Sequence, residues 1–299
     1  MSLYAFVGAL ETGLAFALVA LGSFLTFRVL DFPDLTVEGS FPLGAAVSAQ
    51  FLTSGSDPWT SSLAAIGAGC IAGGITAFLN LKLRILHILA GILTAIALYS
   101  INLRIMGRPN IGLLRVDTVY SQVEKLGIPS FYVPLISLAA IVIVCKLLLD
   151  LFLSTGYGLA MRAAGANPRM AQANGVRVQV MIVIGLAIAN GLTALSGALF
   201  AQMMGAADVS MGIGVIVVAL AAVIGGTAII PSRVVAISTL ACVIGSILYR
   251  LAIALALDTG WSGLTASDVN VVTALLVAIA LFLPGRNFSL RKSARGAAR

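Results

Sequence analysis

The sequence predicts an all-α, polytopic membrane protein of about nine transmembrane helices, with its N-terminus outside and its C-terminus inside. Three observations carry that fold class. Hydrophobic residues fill 60% of the 299 positions and charged residues only 10%, against about 45–50% (glycine included) and about 25% in soluble domains. The mean hydropathy is +1.08. The apolar residues also fall in runs long enough to cross a bilayer, each bounded by glycine, proline or charge. A water-soluble globule cannot hide that much apolar surface. Disorder and a disulfide scaffold are excluded by the same composition.

A spanning helix needs about 20 apolar residues. Runs of that kind lie at 3–27, 41–54, 59–80, 85–106, 130–153, 178–203, 211–229, 234–257 and 269–284. The first is not a cleavable signal, because it lacks a basic start, is too long, and contains Glu11. The second is too short to cross as a regular helix and begins beside Gly39, Ser40 and Pro42. It is expected to be broken or preceded by irregular backbone. The polar loop at 108–129, between the fourth and fifth runs, is long enough for a small external element.

Placing the C-terminal tail inside puts Arg28, Lys82, Arg84, Arg162, Arg169, Arg177, Arg233, Arg286, Arg291, Lys292, Arg295 and Arg299 on the inner side. Arg104, Arg108, Arg115 and Lys125 then lie outside. Basic residues gather on the cytoplasmic side, so this bias sets the orientation. The tail follows an apolar run, which points to anionic lipid headgroups and not to nucleic acid. Residues 1–285 thus form one transmembrane domain and 286–299 a basic cytoplasmic tail.

Chemistry-bearing residues are few. Cys70, Cys145 and Cys242 are scattered through apolar runs and His87 is the one histidine, so no metal site is expected. No GxxxxGK[ST] loop and no HExxH occurs, and no catalytic site is identified. Lys146 and Asp150 stand one helical turn apart, suited to an ion pair. Glu11 and Arg250 fall at similar depths in the first and eighth runs. A charge there costs about 2.5–3.5 kcal/mol, so the two are expected to pair, within one subunit or across a dimer.

The inner loop, 154–177, carries the clearest local signals. The fifth helix is expected to run on through 159–164 and to stop at Gly165. Asn167 then suits an N-cap and Pro168 the first helical position. The result is a short helix over 168–174, lying outside the membrane, with Arg169, Gln172 and Asn174 on its exposed face. Elsewhere, Asp34-Leu-Thr-Val-Glu is echoed by Asp208-Val-Ser-Met-Gly, each ahead of an apolar, glycine-bearing helix. Such an echo on oppositely directed spans is the pattern of an inverted repeat, common in transporters.

The run Arg162-Ala-Ala-Gly-Ala-Asn-Pro-Arg-Met-Ala, followed by Gly175-Val, resembles the cytoplasmic loop of ABC importer permeases of the branched-chain amino acid/ribose type. Gly197-Ala-Leu-Phe-Ala-Gln and Ala207-Asp-Val-Ser-Met-Gly-Ile-Gly are similar to that family's later core. Phe32-Pro-Asp-Leu-Thr-Val-Glu-Gly-Ser-Phe-Pro-Leu-Gly resembles its early core, in the wording of a subgroup linked to tryptophan or tyrosine uptake. The pair Arg104 and Arg108 has no place in that pattern.

The resemblance implies a permease of the bacterial inner membrane that imports a small solute, with an amino acid of aromatic or branched side chain as candidate. It implies a second permease subunit in a homodimer, cytoplasmic ATPase subunits and an extracytoplasmic solute-binding protein. This chain would hold no cofactor, with ATP and Mg in the partner ATPase. The loop 154–177 becomes the coupling loop, with Arg162, Gly165, Asn167, Pro168, Arg169, Met170, Gln172 and Asn174 as the docking residues. Irregular backbone survives in a bilayer only beside a cavity or protein. Thr36, Glu38, Ser40, Asn190, Asp208 and Ser210 are therefore candidates to line the translocation path, with helix capping as the competing role. A stand-alone ion- or proton-coupled transporter is the alternative reading, and a membrane-embedded enzyme or structural subunit a third.

Overall fold

The computed structural model describes residues 3–258 apart from 115, 126, 128 and 233. The ninth expected run, the basic tail, Arg115 and Arg233 lie outside the described residues.

Helix α1 (Leu3–Ser23) is apolar all round and continues through a π-helical stretch, Phe24–Val29, to Arg28 at its end. A helix without a polar face belongs in the middle of a bundle, and Leu14 to Ser23 are all buried. The chain then turns back at Asp31, held at φ +54. Residues 30–36 follow as irregular backbone before α2 (Val37–Thr53). This lead is inside the protein, with Phe32, Asp34 and Thr36 at 1%, 0% and 0% exposure. Its backbone donors are still satisfied: Leu30 donates to Leu25, Phe32 to Thr26, and Thr36 to the Asp34 side chain. The 17 residues of α2 reach only about 25 Å at 1.5 Å each.

Helix α3 (Pro58–Leu83) starts on Asp57, whose side chain accepts from the Trp59 N–H, and stops at Arg84 in the left-handed region. Helix α4 (His87–Met106) stops at Gly107, φ +66. The expected small element follows: strand β1 (Asn110–Gly112) and helix α5 (Val119–Glu124), the latter closed by a reciprocal Thr118–Ser121 capping box. Then come α6 (Val133–Ser154), the short α7 (Gly156–Ala166) and α8 (Pro168–Ala173), and α9 (Val178–Met204). Strand β2 (Ala206–Asp208) pairs antiparallel with β1, Asn110 opposite Asp208. A 3-10 turn, Val209–Gly212, leads to α10 (Val215–Ile229) and α11 (Val235–Asp258). Among the described residues seven helical segments are long and apolar enough to cross a membrane. The second expected run is α2, short as anticipated.

Two expectations fail in the inner loop. Helix α6 ends at Ser154 and does not run on, because Thr155 turns extended (ψ 168) and caps α7 with its hydroxyl. Gly165 does not end a helix, since α7 continues to Ala166 and Asn167 follows as its cap. Gly165 packs on the Val29 carbonyl, where a Cβ has no room.

Lipid supplies no hydrophobic drive between helices, so close backbone approach matters more. Gly44 meets the backbone of Ala194, Gly69 that of Asn190, Gly73 that of Leu186, and Gly197 that of Phe41. These contacts lock α2 and α3 onto α9. Helices α4 and α6 lie at the edge and expose Ile88, Leu89 and Ile92, and Ile143, Leu147 and Leu151. Lys146 and Asp150 form the expected ion pair at 2.6 Å, and Thr239 of α11 donates to Asp150 at 2.6 Å.

Candidate functional site

The inner loop is largely exposed. Asn167 leaves α7 in extended geometry and its Oδ1 accepts from the Met170 N–H at 3.1 Å, so the predicted N-cap is formed. Pro168 takes the first helical position, where its missing N–H costs nothing. At the far end the Asn174 side chain donates to the Met170 carbonyl at 2.8 Å, and Gly175 (φ +83) turns the chain. Ala171 is buried beneath α8 while Arg169, Met170, Gln172 and Asn174 stand exposed, with Arg162 exposed on α7.

A second set of candidates meets in the interior. Asp34 accepts from the Thr36 N–H at 2.9 Å and from the Asn190 amide at 2.7 Å. Ser40 donates to Asn190 at 2.7 Å. The Thr36 hydroxyl lies 2.7 Å from that of Thr76, which donates to Thr94 at 2.9 Å. Every one of these side chains is at most 3% exposed. The network ties the irregular lead and α2 to α3, α4 and α9. Thr36, Ser40 and Asn190 are thus buried in this structure, with Asp34 linking Thr36 to the Ser40–Asn190 pair.

Glu38 and Ser210 do reach one. A cleft of about 350 Å³ is lined by Glu38, Gly39 and Pro42 of α2, by Ala95, Ile96, Tyr99 and Ser100 of α4, and by Val209, Ser210, Gly212 and Ile213 of the turn before α10. The two echoed segments meet at its floor. The Glu38 Oε1 accepts from the Gly214 N–H at 3.2 Å. Pro42 has no N–H for the Glu38 carbonyl, and Gly212 packs on that carbonyl with no room for a Cβ. Gly39 packs beside Ala95, halfway along α4, so the cleft lies at mid-span.

Asp208 does not join this floor. Its carboxylate accepts from the Ser210 hydroxyl, from the Ser210 N–H at 2.7 Å and from Asn110 at 3.2 Å. The Ser210 bonds chiefly hold its carboxyl below the usual range. Its role in the structure is the capping one. Asp34 makes the same local turn, since each aspartate accepts the N–H two residues on.

Glu11 and Arg250 do not pair within the subunit. The Arg250 guanidinium sits 4.0 Å over the Phe16 ring, a cation–π contact that meets the charge without a carboxylate. Arg250 packs beside Gly13 on α1.

Sequence reasoning missed Asp34, Thr76 and Thr94 in the interior, and Tyr99 and Ser100 on the cleft. The repeated Asp-x-Thr/Ser wording was a signal for Asp34. It also missed Gln202, whose amide accepts from the Val119 N–H at 2.9 Å and donates to Ser48 at 3.0 Å.

The model of the family described as branched-chain amino acid transport system, permease component, matches residues 6–283. The chain is 37% identical over 287 residues to the tyrosine transport system permease protein of Clostridioides difficile, covering 96% of this chain and 94% of that one. Its fold is similar to that of a chain in the PsaBC complex of Streptococcus pneumoniae with a Fab (TM-score 0.53, 15% identity, covering 92% and 89%). It is also similar to an ABC transporter described as of metal-chelate type in an inward-facing conformation (TM-score 0.52, 15% identity, covering 95% and 86%).

Proposed function

The chain belongs to the family of branched-chain amino acid transport system permease components, and from that premise we propose that it forms half of a dimeric, ATP-driven importer in a bacterial inner membrane. It is a transport subunit and not an enzyme. The family membership displaces the stand-alone ion-coupled reading. The proposed solute is an amino acid with an aromatic or branched side chain, in keeping with the tyrosine permease relative. Cytoplasmic ATPase subunits, holding ATP and Mg, dock on Arg162, Asn167, Pro168, Arg169, Met170, Gln172 and Asn174. An extracytoplasmic binding protein delivers solute to the face carrying β1 and α5. The proposed topology keeps nine spans, the N-terminus outside and the C-terminus inside.

One observation carries the path: Glu38, an ionisable side chain at mid-span, opens onto a cleft where two irregular leads meet. A carboxylate at that depth is stable only against water or protein, and broken helices at mid-bilayer are a recurrent build of solute paths. In the proposed cycle, ATPase closure displaces α8, and α9, directly downstream, carries the displacement to Asn190 and so to the lead of α2. Solute drives the shift only through different affinity for the two states.

The test is reconstitution of the permease with its ATPase and binding protein in liposomes. ATP-dependent uptake of L-tyrosine, L-tryptophan or L-leucine is the expected result. Uptake by the permease alone under an ion gradient, indifferent to the ATPase, overturns the proposal.

A further inference from the structure

Building on the importer reading, we propose that the Glu38 cleft is a solute subsite in which Glu38 binds the α-ammonium group of an amino acid and the apolar wall receives its side chain. Glu38 is the one charged residue lining the cleft among the described residues. Its Oε1 takes the Gly214 N–H, and its Oε2 has no hydrogen-bond donor among the described residues. An ionised carboxylate only accepts hydrogen bonds, and a charged donor such as an ammonium completes it best. Among the described residues no Lys or Arg lines the cleft, so none of them favours a solute of net negative charge there.

The remaining wall fits the other end of such a solute. Ile96, Tyr99 and Ile213 are 64%, 56% and 82% exposed and border the cleft. They offer apolar and aromatic surface. Ser100 adds a hydroxyl that can serve a carboxylate or a phenol. The Ser210 hydroxyl, whose proton goes to Asp208, is left to accept from a phenol or an ammonium. A volume of about 350 Å³ lies in the range of small-molecule sites. It is far larger than a bare cation requires.

The test uses the full permease–ATPase complex in lipid nanodiscs. Cys70, Cys145 and Cys242 are replaced by alanine, and Ser210→Cys is reacted with a water-soluble maleimide. L-tyrosine, tyramine and 3-(4-hydroxyphenyl)propionate serve as protecting probes, differing in ammonium and carboxylate. With probe at about twice its dissociation constant, bound solute slows labelling about threefold. Protection by L-tyrosine and tyramine, with none by the propionate, is expected. Glu38→Gln should abolish it and Glu38→Asp should keep part of it. In liposomes with the binding protein, Glu38→Gln should lower ATP-driven L-tyrosine uptake about tenfold, the scale of one lost charge-assisted hydrogen bond. Equal protection by the propionate, protection that survives Glu38→Gln, or no protection by any probe overturns the subsite. If ATP-driven uptake of L-tyrosine persists in the wild type while protection fails, only the subsite falls. If the wild type takes up none of L-tyrosine, L-tryptophan and L-leucine, the importer reading falls with it.

Discussion

Asn190 donates its side-chain amide to the Asp34 carboxylate across 2.7 Å, joining residues 156 positions apart at a fully buried point. The same amide accepts from Ser40, so one side chain holds the irregular lead, α2 and α9 together. Asn190→Ala removes both bonds and strands two buried partners, each at about 1–3 kcal/mol. The thermal midpoint of the solubilised protein should fall by about 5 °C or more. An unchanged midpoint and unchanged uptake would show that the network holds nothing.

Asn167 and Pro168 fix the start of α8. Asn167→Ala removes a cap worth about 1 kcal/mol, and adding Pro168→Gly frees the first turn. The double variant should insert and unfold globally near the wild-type midpoint, with the loss falling locally on α8, which is mostly exposed. Co-purification of the ATPase and ATP-driven uptake should both drop. Full retention of the ATPase with normal transport would count against docking at α8.

Glycines of this chain should split sharply under alanine substitution. Gly165→Ala drives a methyl into the Val29 carbonyl, and backbone displacement there costs about 1–3 kcal/mol. Gly67, on α3, has nothing within 4 Å of the position a Cβ would take. Gly67→Ala should stabilise by up to about 1 kcal/mol through helix propensity. Thermal midpoints moving in opposite directions are the expected result, and a loss of stability at both sites would contradict it.

Arg250 and Phe16 should couple, and Arg250 and Glu11 should not. A double-mutant cycle of Arg250→Gln with Phe16→Leu should show about 0.5–2 kcal/mol of interaction. The cycle of Arg250→Gln with Glu11→Gln in the monomeric permease should be additive within about 0.3–0.5 kcal/mol. Coupling confined to the dimer would reveal an ion pair across subunits.

A bilayer writes its requirements into composition, which is why the spans were legible. The runs at 59–80, 85–106 and 178–203 lie within or beside α3, α4 and α9, because a spanning helix must be apolar along its length. The start of α8 was legible for a different reason: an Asn-Pro cap acts within four residues of chain. What depends on a distant partner was not. Asp34, Thr76, Thr94 and Asn190 come from four segments, and nothing local says that they touch. Gly165 was misread because a glycine that ends a helix and one that admits a neighbouring backbone look alike in sequence. Arg250 suggested a carboxylate partner, yet its guanidinium meets an aromatic ring one helix away.

The glycine contacts of α2 and α3 with α9 have a mechanical consequence. Where backbone rests on backbone there is no cushion of rotamers to absorb a push. The 27 residues of α9 extend about 40 Å, and the three helices should tilt together as a stiff rod and its braces. A stroke applied near Arg177 then arrives at Met204 with its amplitude intact, beside the Gln202 bonds to Val119 and Ser48. Bending has to occur beyond the rod, and the joints are ready at Gly205 and Gly214, both in the left-handed region. The turn carrying Ser210 lies between those two joints, so a rigid stroke of α9 should change the width of the cleft.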